Sequence, residues 1–269
     1  MSWLEAIILG LVEGITEFLP ISSTGHLIVT RSLLGLEGEA IDRQIIIIQG
    51  AAILAVIWEF RKKLFHTAFT LHSDPLSRRF LLNLFIVSVP LAVLGLLFEK
   101  QIKAVLFNPV SVAIALIVGG VIILWAERRK HAERVQSVDE LTALDALKLG
   151  LFQALALIPG TSRSGATIIG GLLSGLSRRT AAEFSFFAAL PVLLAATALE
   201  MWKARAELAT TDVKPLVLSC VVSFVSALLA TKLLLRIVSK YSFASFAWYR
   251  IAFGAVILVT AYTGLVRWQ

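Results

Sequence analysis

Two apolar segments of this 269-residue chain are interrupted near their middles by polar residues, and that interruption limits the possible folds more than any other feature. The first, 3–34, contains Glu13, Glu17, Pro20, Ser22, Ser23, Thr24, Gly25 and His26. The second, 144–176, contains Gln153, Pro159, Gly160, Ser162, Arg163, Ser164, Gly165 and Thr167. Each reads as a helix, a Pro/Gly/Ser break and a short second helix. Around them lie six unbroken apolar stretches, 44–60, 80–98, 109–126, 180–202, 215–235 and 246–266, each close to the ~20 residues that cross a bilayer. Charged residues make up only 16% of the chain, against about 25% in a soluble domain, so a water-soluble globule is excluded. Irregular backbone survives at membrane depth only where protein or a water-filled cavity covers it. The expected fold is therefore an all-α polytopic membrane protein, a single domain over 1–269, with six transmembrane helices and two re-entrant helical hairpins.

Basic residues orient the spans. One set of loops holds Arg61, Lys62, Lys63, Arg78 and Arg79, then Arg128, Arg129, Lys130, Arg134 and Lys148, then Arg178 with Arg179, and finally Arg236, Lys240 and Arg250. The intervening loops hold Lys100 and Lys103, and Lys203, Arg205 and Lys214. The positive-inside rule makes the first set cytoplasmic and turns both termini outward. The net charge of +7 then reflects cytoplasmic loops, and no nucleic-acid partner is expected. Glu5 and Glu13 stand where a leader would be basic, so no cleavable signal is expected. The lone Cys220 lies in an apolar run and forms no internal disulfide.

The broken segments resemble each other. LGLVEGITEFLPISSTGHLI (9–28) runs beside LGLFQALALIPGTSRSGATII (149–169), with Glu13 opposite Gln153 and the prolines setting Ser23 opposite Ser162. A hairpin followed by three spans occurs in 1–130 (hairpin 3–34) and again in 140–269 (hairpin 144–176). Three spans per half make the halves an inverted-topology repeat, an architecture that places sites near the midplane where broken helices meet.

Glu13 and Glu17 are one helical turn apart and share a face. Carboxylates in an apolar segment point to function, unless the first helix lies at the interface with both acids in water. Two like charges at this spacing require a shared proton or a bound cation, and oxygen ligands suit a divalent ion such as Mg2+ or Ca2+. Ser22, Ser23 and Thr24 supply hydroxyls, with His26 close enough in sequence to serve as a base; helix capping explains one hydroxyl but not three. Arg163 in the second break would bind phosphate bidentately or bridge to Glu13 and Glu17 to fasten the hairpins. Gln49 and Gln153 read as interhelical hydrogen-bonding groups, Glu183 as interfacial, and His66, His72 and His131 as loop residues.

EGITEFLPISSTGHL and PGTSRSGAT, with EFSFFAALP and FAWYRIAFG, resemble the undecaprenyl-diphosphate phosphatase family, the bacitracin-resistance class of bacterial inner-membrane proteins. The segment QIIIIQGAA at 44–52 departs from the family pattern, so the span at 44–60 is not assigned to the site. The resemblance implies hydrolysis of the C55 isoprenoid diphosphate to the monophosphate and inorganic phosphate, with a polyprenyl diphosphate lipid as substrate in the bilayer and a site opening to the outer face. It places the acidic pair on Glu13 and Glu17, the nucleophile on Ser23, the histidine on His26 and the phosphate-binding arginine on Arg163. Ser22, Thr24, Ser162, Ser164 and Thr167 would complete the substrate contacts. Two chemistries stay open, attack by Ser23 activated by His26 or attack by water that His26 activates. A flippase for a phosphorylated polyprenyl lipid is the competing class. The assembly stays open too, a homodimer included.

Overall fold

The computed structural model describes residues 1–129, 132–210 and 212–264. Lys130, His131 and the end of the sixth apolar stretch beyond residue 264 lie outside the described residues, as do the side chains of Lys100 and Lys103. Eleven α-helices are described: α1 Trp3–Thr16, α2 Ser23–Leu34, α3 Glu39–Glu59, α4 Arg61–Thr70, α5 Pro75–Leu106, α6 Pro109–Arg128, α7 Ala143–Ala154, α8 Arg163–Leu173, α9 Arg178–Thr210, α10 Lys214–Val238 and α11 Ala244–Thr263. Among the described residues the only β pairing is an isolated bridge between Val135 and Leu176.

Six helices, α3, α5, α6, α9, α10 and α11, are long and apolar enough to cross a membrane. They coincide with the six unbroken stretches, but α5 and α9 run further. Asp74 caps α5 by accepting from the amides of Leu76 and Ser77, and Pro75 fits the first turn, where no amide donor is needed. A helix of 32 residues spans about 48 Å, more than the ~30 Å hydrocarbon layer. The basic stretch after α3 forms the short α4, with Phe65 and Phe69 exposed beside Lys62 and Lys63. The large residues on the outer faces of the spans, such as Leu96, Val121, Val225 and Val259, are exposed. Such a surface suits lipid and would aggregate in water.

Small residues bring the helices together. A Cβ on Gly14 of α1 would lie 2.1 Å from Ser226 Oγ and 2.4 Å from the Ser223 carbonyl oxygen of α10. On α7, a Cβ on Gly150 would lie 2.8 Å from the Val87 carbonyl oxygen of α5, which also accepts from Gln153 Nε2 at 3.1 Å. The interhelical role expected for Gln153 is thus observed. Close backbone approach through small residues is how helices gain contact without a hydrophobic driving force between them. The core is phenylalanine-rich. Phe18, just past α1, meets Phe186 edge-on at 5.6 Å, and Phe187 meets Phe80 edge-on at 5.0 Å. The first break is thereby pinned to α9.

One residue departs from the orientation reading. Arg250 is not at a basic junction but lies within α11 and is 1% exposed. Its charge was counted with its neighbours in sequence, while its side chain turns inward to backbone carbonyls. Other basic residues of that set pair as loop residues do: Arg178 donates to Glu127 at 2.6 Å, Arg179 to Glu183 at 2.8 Å, and Arg134 pairs with Asp145.

Candidate active site

Both breaks end in the same strained turn. Ser22 and Ser162, at φ 70° and 72°, are the only non-glycine residues with positive φ among the described residues. Each is an N-cap whose hydroxyl accepts from the amide three residues on, Gly25 at 3.3 Å and Gly165 at 3.1 Å. Serine capping relieves part of the strain that a side chain meets in this region. The backbone therefore aligns Ser22 with Ser162, one residue off the register set by the prolines, because the second break carries one more residue between proline and cap. The following residues, Ser23 and Arg163, occupy the first turns of α2 and α8. Amides of a first helical turn have no helical acceptor and favour an anion.

A cavity of about 170 Å³ lies between the two turns, bounded by Glu17, Ser23, Thr24, Gln49, Ser162 and Arg163 among others. Ser23 Oγ donates to Glu17 Oε2 at 2.6 Å. Arg163 Nη2 donates to the other oxygen of the same carboxylate at 3.2 Å, and its Nη1 to the Ser185 carbonyl at 2.9 Å. The Glu17–Arg163 bridge joins the two segments, as one reading of the sequence required. Glu13 is fully buried beside Glu17, and neither of its oxygens has a hydrogen-bond partner among the described residues; the same holds for Arg163 Nε and Ser185 Oγ. Orphaned buried polar atoms are rare and call for an explanation. Arg163 itself lines the cavity, Glu13 lies one helical turn before the lining residue Glu17, and Ser185 accepts from Arg163 through its carbonyl.

Several expected contacts fall elsewhere. His26 makes no hydrogen bond with Ser23. Its Nδ1 lies 2.7 Å from the Ser22 carbonyl and its Nε2 2.7 Å from the Tyr249 hydroxyl, while its ring stacks on Phe253 at 4.3 Å. A carbonyl only accepts, so Nδ1 carries the hydrogen and Nε2 faces Tyr249. His26 is held by Tyr249 and Phe253 of α11, and Glu17 takes the place beside the serine. Ser164 donates to the Leu19 carbonyl at 2.8 Å and Thr167 to the Arg163 carbonyl at 2.7 Å, so both hydroxyls are engaged in structure. Ser162 and Ser164 hydroxyls meet at 3.1 Å. Conversely, the sequence reading missed Gln49 as a wall of the cavity, Ser185 as the arginine's acceptor, and Tyr249. The motif EFSFFAALP carried the only available signal for Ser185.

Glu13 and Glu17 fit a divalent cation in donor chemistry, being oxygen ligands with two oxygens unpartnered. Among the described residues no group of three or more His, Cys, Asp or Glu could hold a metal, so this acidic pair would supply only part of an ion's ligand shell.

A second cavity, about 310 Å³, shares Thr24 and Gln49 with the first and continues between α2 and α3 along Leu27, Ile28, Ile46 and Phe107. Arg31 and Asp42, an ion pair, stand at its polar end.

The family model for bacitracin resistance protein BacA matches residues 6–256. An undecaprenyl-diphosphatase of Dechloromonas aromatica is 56% identical over 265 residues, covering 98% of this chain and 97% of its own length. Undecaprenyl-diphosphatase 2 of Rhodospirillum rubrum is 58% identical, covering 99% and 97%, and undecaprenyl-diphosphatase 1 of Chromobacterium violaceum is 58% identical, covering 98% of each.

Proposed function

The chain belongs to the bacitracin resistance protein family, and we propose that it hydrolyses undecaprenyl diphosphate in the cavity between its two broken segments, through Ser23, Glu17 and Arg163. The reaction yields undecaprenyl phosphate and inorganic phosphate, returning the lipid carrier to use, and the chain is a multi-pass protein of the bacterial inner membrane. One observation carries the assignment of residues: a serine hydroxyl 2.6 Å from a buried carboxylate that an arginine also holds, at the start of two helices.

In the first step Ser23 Oγ attacks the terminal phosphorus and Glu17 takes its proton. The bond from phosphorus to the bridging oxygen breaks, and undecaprenyl phosphate leaves with the electron pair. Arg163 and the first-turn amides of α2 and α8 stabilise the charge on the phosphoryl oxygens. In the second step water bonds to phosphorus, Ser23 leaves and regains its proton from Glu17, and the water's proton departs with the phosphate. His26 serves as a prop: it holds the strained Ser22 carbonyl from one ring nitrogen and is held by Tyr249 at the other. Glu13 and Glu17 would hold a divalent cation, which would neutralise diphosphate charge when bound.

The prenyl chain is bonded to the reacting diphosphate and must leave the cavity through an apolar wall. The groove along Leu27, Ile28 and Phe107 adjoins the cavity and suits the first isoprene units. The reading of the chain as one domain of two inverted repeats, 1–130 and 140–269 with re-entrant hairpins at 3–34 and 144–176, is supported by matching geometry. The caps at Ser22 and Ser162 agree, α1 packs on α10 as α7 packs on α5, and α3 with α9 and α6 with α11 pair across the halves. With the basic loops cytoplasmic, the cavity opens to the outer face. Phosphate release from labelled substrate in detergent tests the assignment. The parent releases phosphate, and Ser23→Ala, Glu17→Gln and Arg163→Ala release it at least about a hundredfold more slowly, whereas a flippase alone releases none in any variant.

A further inference from the structure

Arg250 is among the largest fully buried side chains, and among the described residues its hydrogen-bond partners are all backbone carbonyls. Nη1 donates to Pro20 at 3.3 Å, and Nη2 to Gly160 at 3.1 Å and Thr161 at 2.9 Å. Nη2 also reaches Ala115 at 3.2 Å, and Nε reaches Leu116 at 3.3 Å, both on α6. A buried cation without a carboxylate is among the costlier features a fold can carry. A core arginine kept only for packing would be replaced at lower cost by an apolar side chain. What this one holds is specific. Pro20 lies two residues before Ser22, and Thr161 directly precedes Ser162, so one planar fork grips both strained turns at once. α6 leaves room for it: a Cβ on Gly119 would lie 2.1 Å from Nη2.

We propose that Arg250 is a positioning residue for the hydrolysis, setting the distance and angle between the turn that carries Ser23 and the turn that carries Arg163. It touches no substrate and acts through the backbone it holds. The inference rests on the reading that Ser23 and Arg163 carry the reaction. A small displacement of either turn would separate the nucleophile from the phosphate clamp, and misplacement of about 1 Å costs roughly 10²-fold in rate.

The test uses the full chain in detergent, with kcat, KM and the thermal unfolding midpoint measured for Arg250→Lys, Gly119→Ala, Arg163→Ala and the double variant Gly119→Ala/Arg163→Ala. Gly119→Ala keeps Arg250 but pushes its guanidinium off the turns. The expected result is a fall in kcat of at least about tenfold for Arg250→Lys and Gly119→Ala, with KM within about twofold. The unfolding midpoint of Gly119→Ala falls, because a buried guanidinium loses carbonyl partners, but the protein stays folded at the assay temperature with KM unchanged, and the double variant is no slower than Arg163→Ala alone. Arg250→Lys that fails to fold leaves Gly119→Ala to decide. A Gly119→Ala protein with parental kcat, or one whose loss multiplies with that of Arg163→Ala, overturns the inference. If Arg163→Ala itself keeps full activity, the site reading fails instead.

Discussion

His26 follows Ser23 by three positions, a spacing that suggests a base beside a nucleophile, yet Ser23 meets Glu17 and His26 meets Tyr249. The difference has a measurable sign. Glu17→Gln, which keeps shape but cannot take a proton, should lower kcat by about 10²–10⁴-fold, the usual worth of a general base. Tyr249→Phe frees the outer nitrogen of His26 and removes one hydrogen bond, worth about 1 kcal/mol. If His26 is a prop, kcat falls by about fivefold or less and the unfolding midpoint drops; if His26 were the base, the freed nitrogen would raise the rate. The acidic pair, the serines and Arg163 were legible because charge and hydroxyls stand out in an apolar chain. The parts that Gln49, Ser185 and Tyr249 play were not: an amide, a backbone carbonyl and one ring among three tyrosines have no assigned partner until the helices are packed. Arg250 was visible but misread, since a residue count cannot tell a buried guanidinium from a loop one.

At the scale of elements, hydropathy located all six spans, because each must supply its own run of apolar side chains. The helix ends were less legible. Asp74 and Pro75 start α5 five residues before the apolar run, a capping signal independent of hydropathy. The Ser77 hydroxyl and then the Leu76 amide hold the Asp74 carboxyl below its usual range. Its folded value is depressed, so the cap contributes fully above the unfolded carboxylate's pKa of about 4 and is lost as pH falls through the lower folded value. The protection of the first-turn amides of α5, measured against their intrinsic exchange rates, should therefore be high at pH 6 and fall once pH drops below the folded carboxyl's pKa; equal protection across that range would contradict the cap. The α1–α10 contact makes a second claim. Gly14→Ala places a Cβ against the Ser223 carbonyl, which cannot move without its helix. Overpacking of this kind costs about 1–3 kcal/mol, and a correspondingly lower unfolding midpoint checks it.

Across the whole molecule, two short polar turns face one cavity whose wall Gln49 of α3, Leu91 of α5 and Leu193 of α9 complete, and a groove leads from it between α2 and α3. If the prenyl chain follows that groove, Ile28→Trp should raise KM for the undecaprenyl substrate more than for a short-chain prenyl diphosphate and leave kcat near parental. An equal change for both substrates would place the chain elsewhere. The most direct test of the account is the covalent intermediate. Substrate labelled in its terminal phosphate is mixed with the enzyme, quenched within one turnover and analysed by peptide mass. The prediction is a phosphoserine at Ser23 that forms and decays at the rate of phosphate release. Absence of label throughout turnover, together with a Ser23→Ala protein that keeps most of its activity, would contradict it.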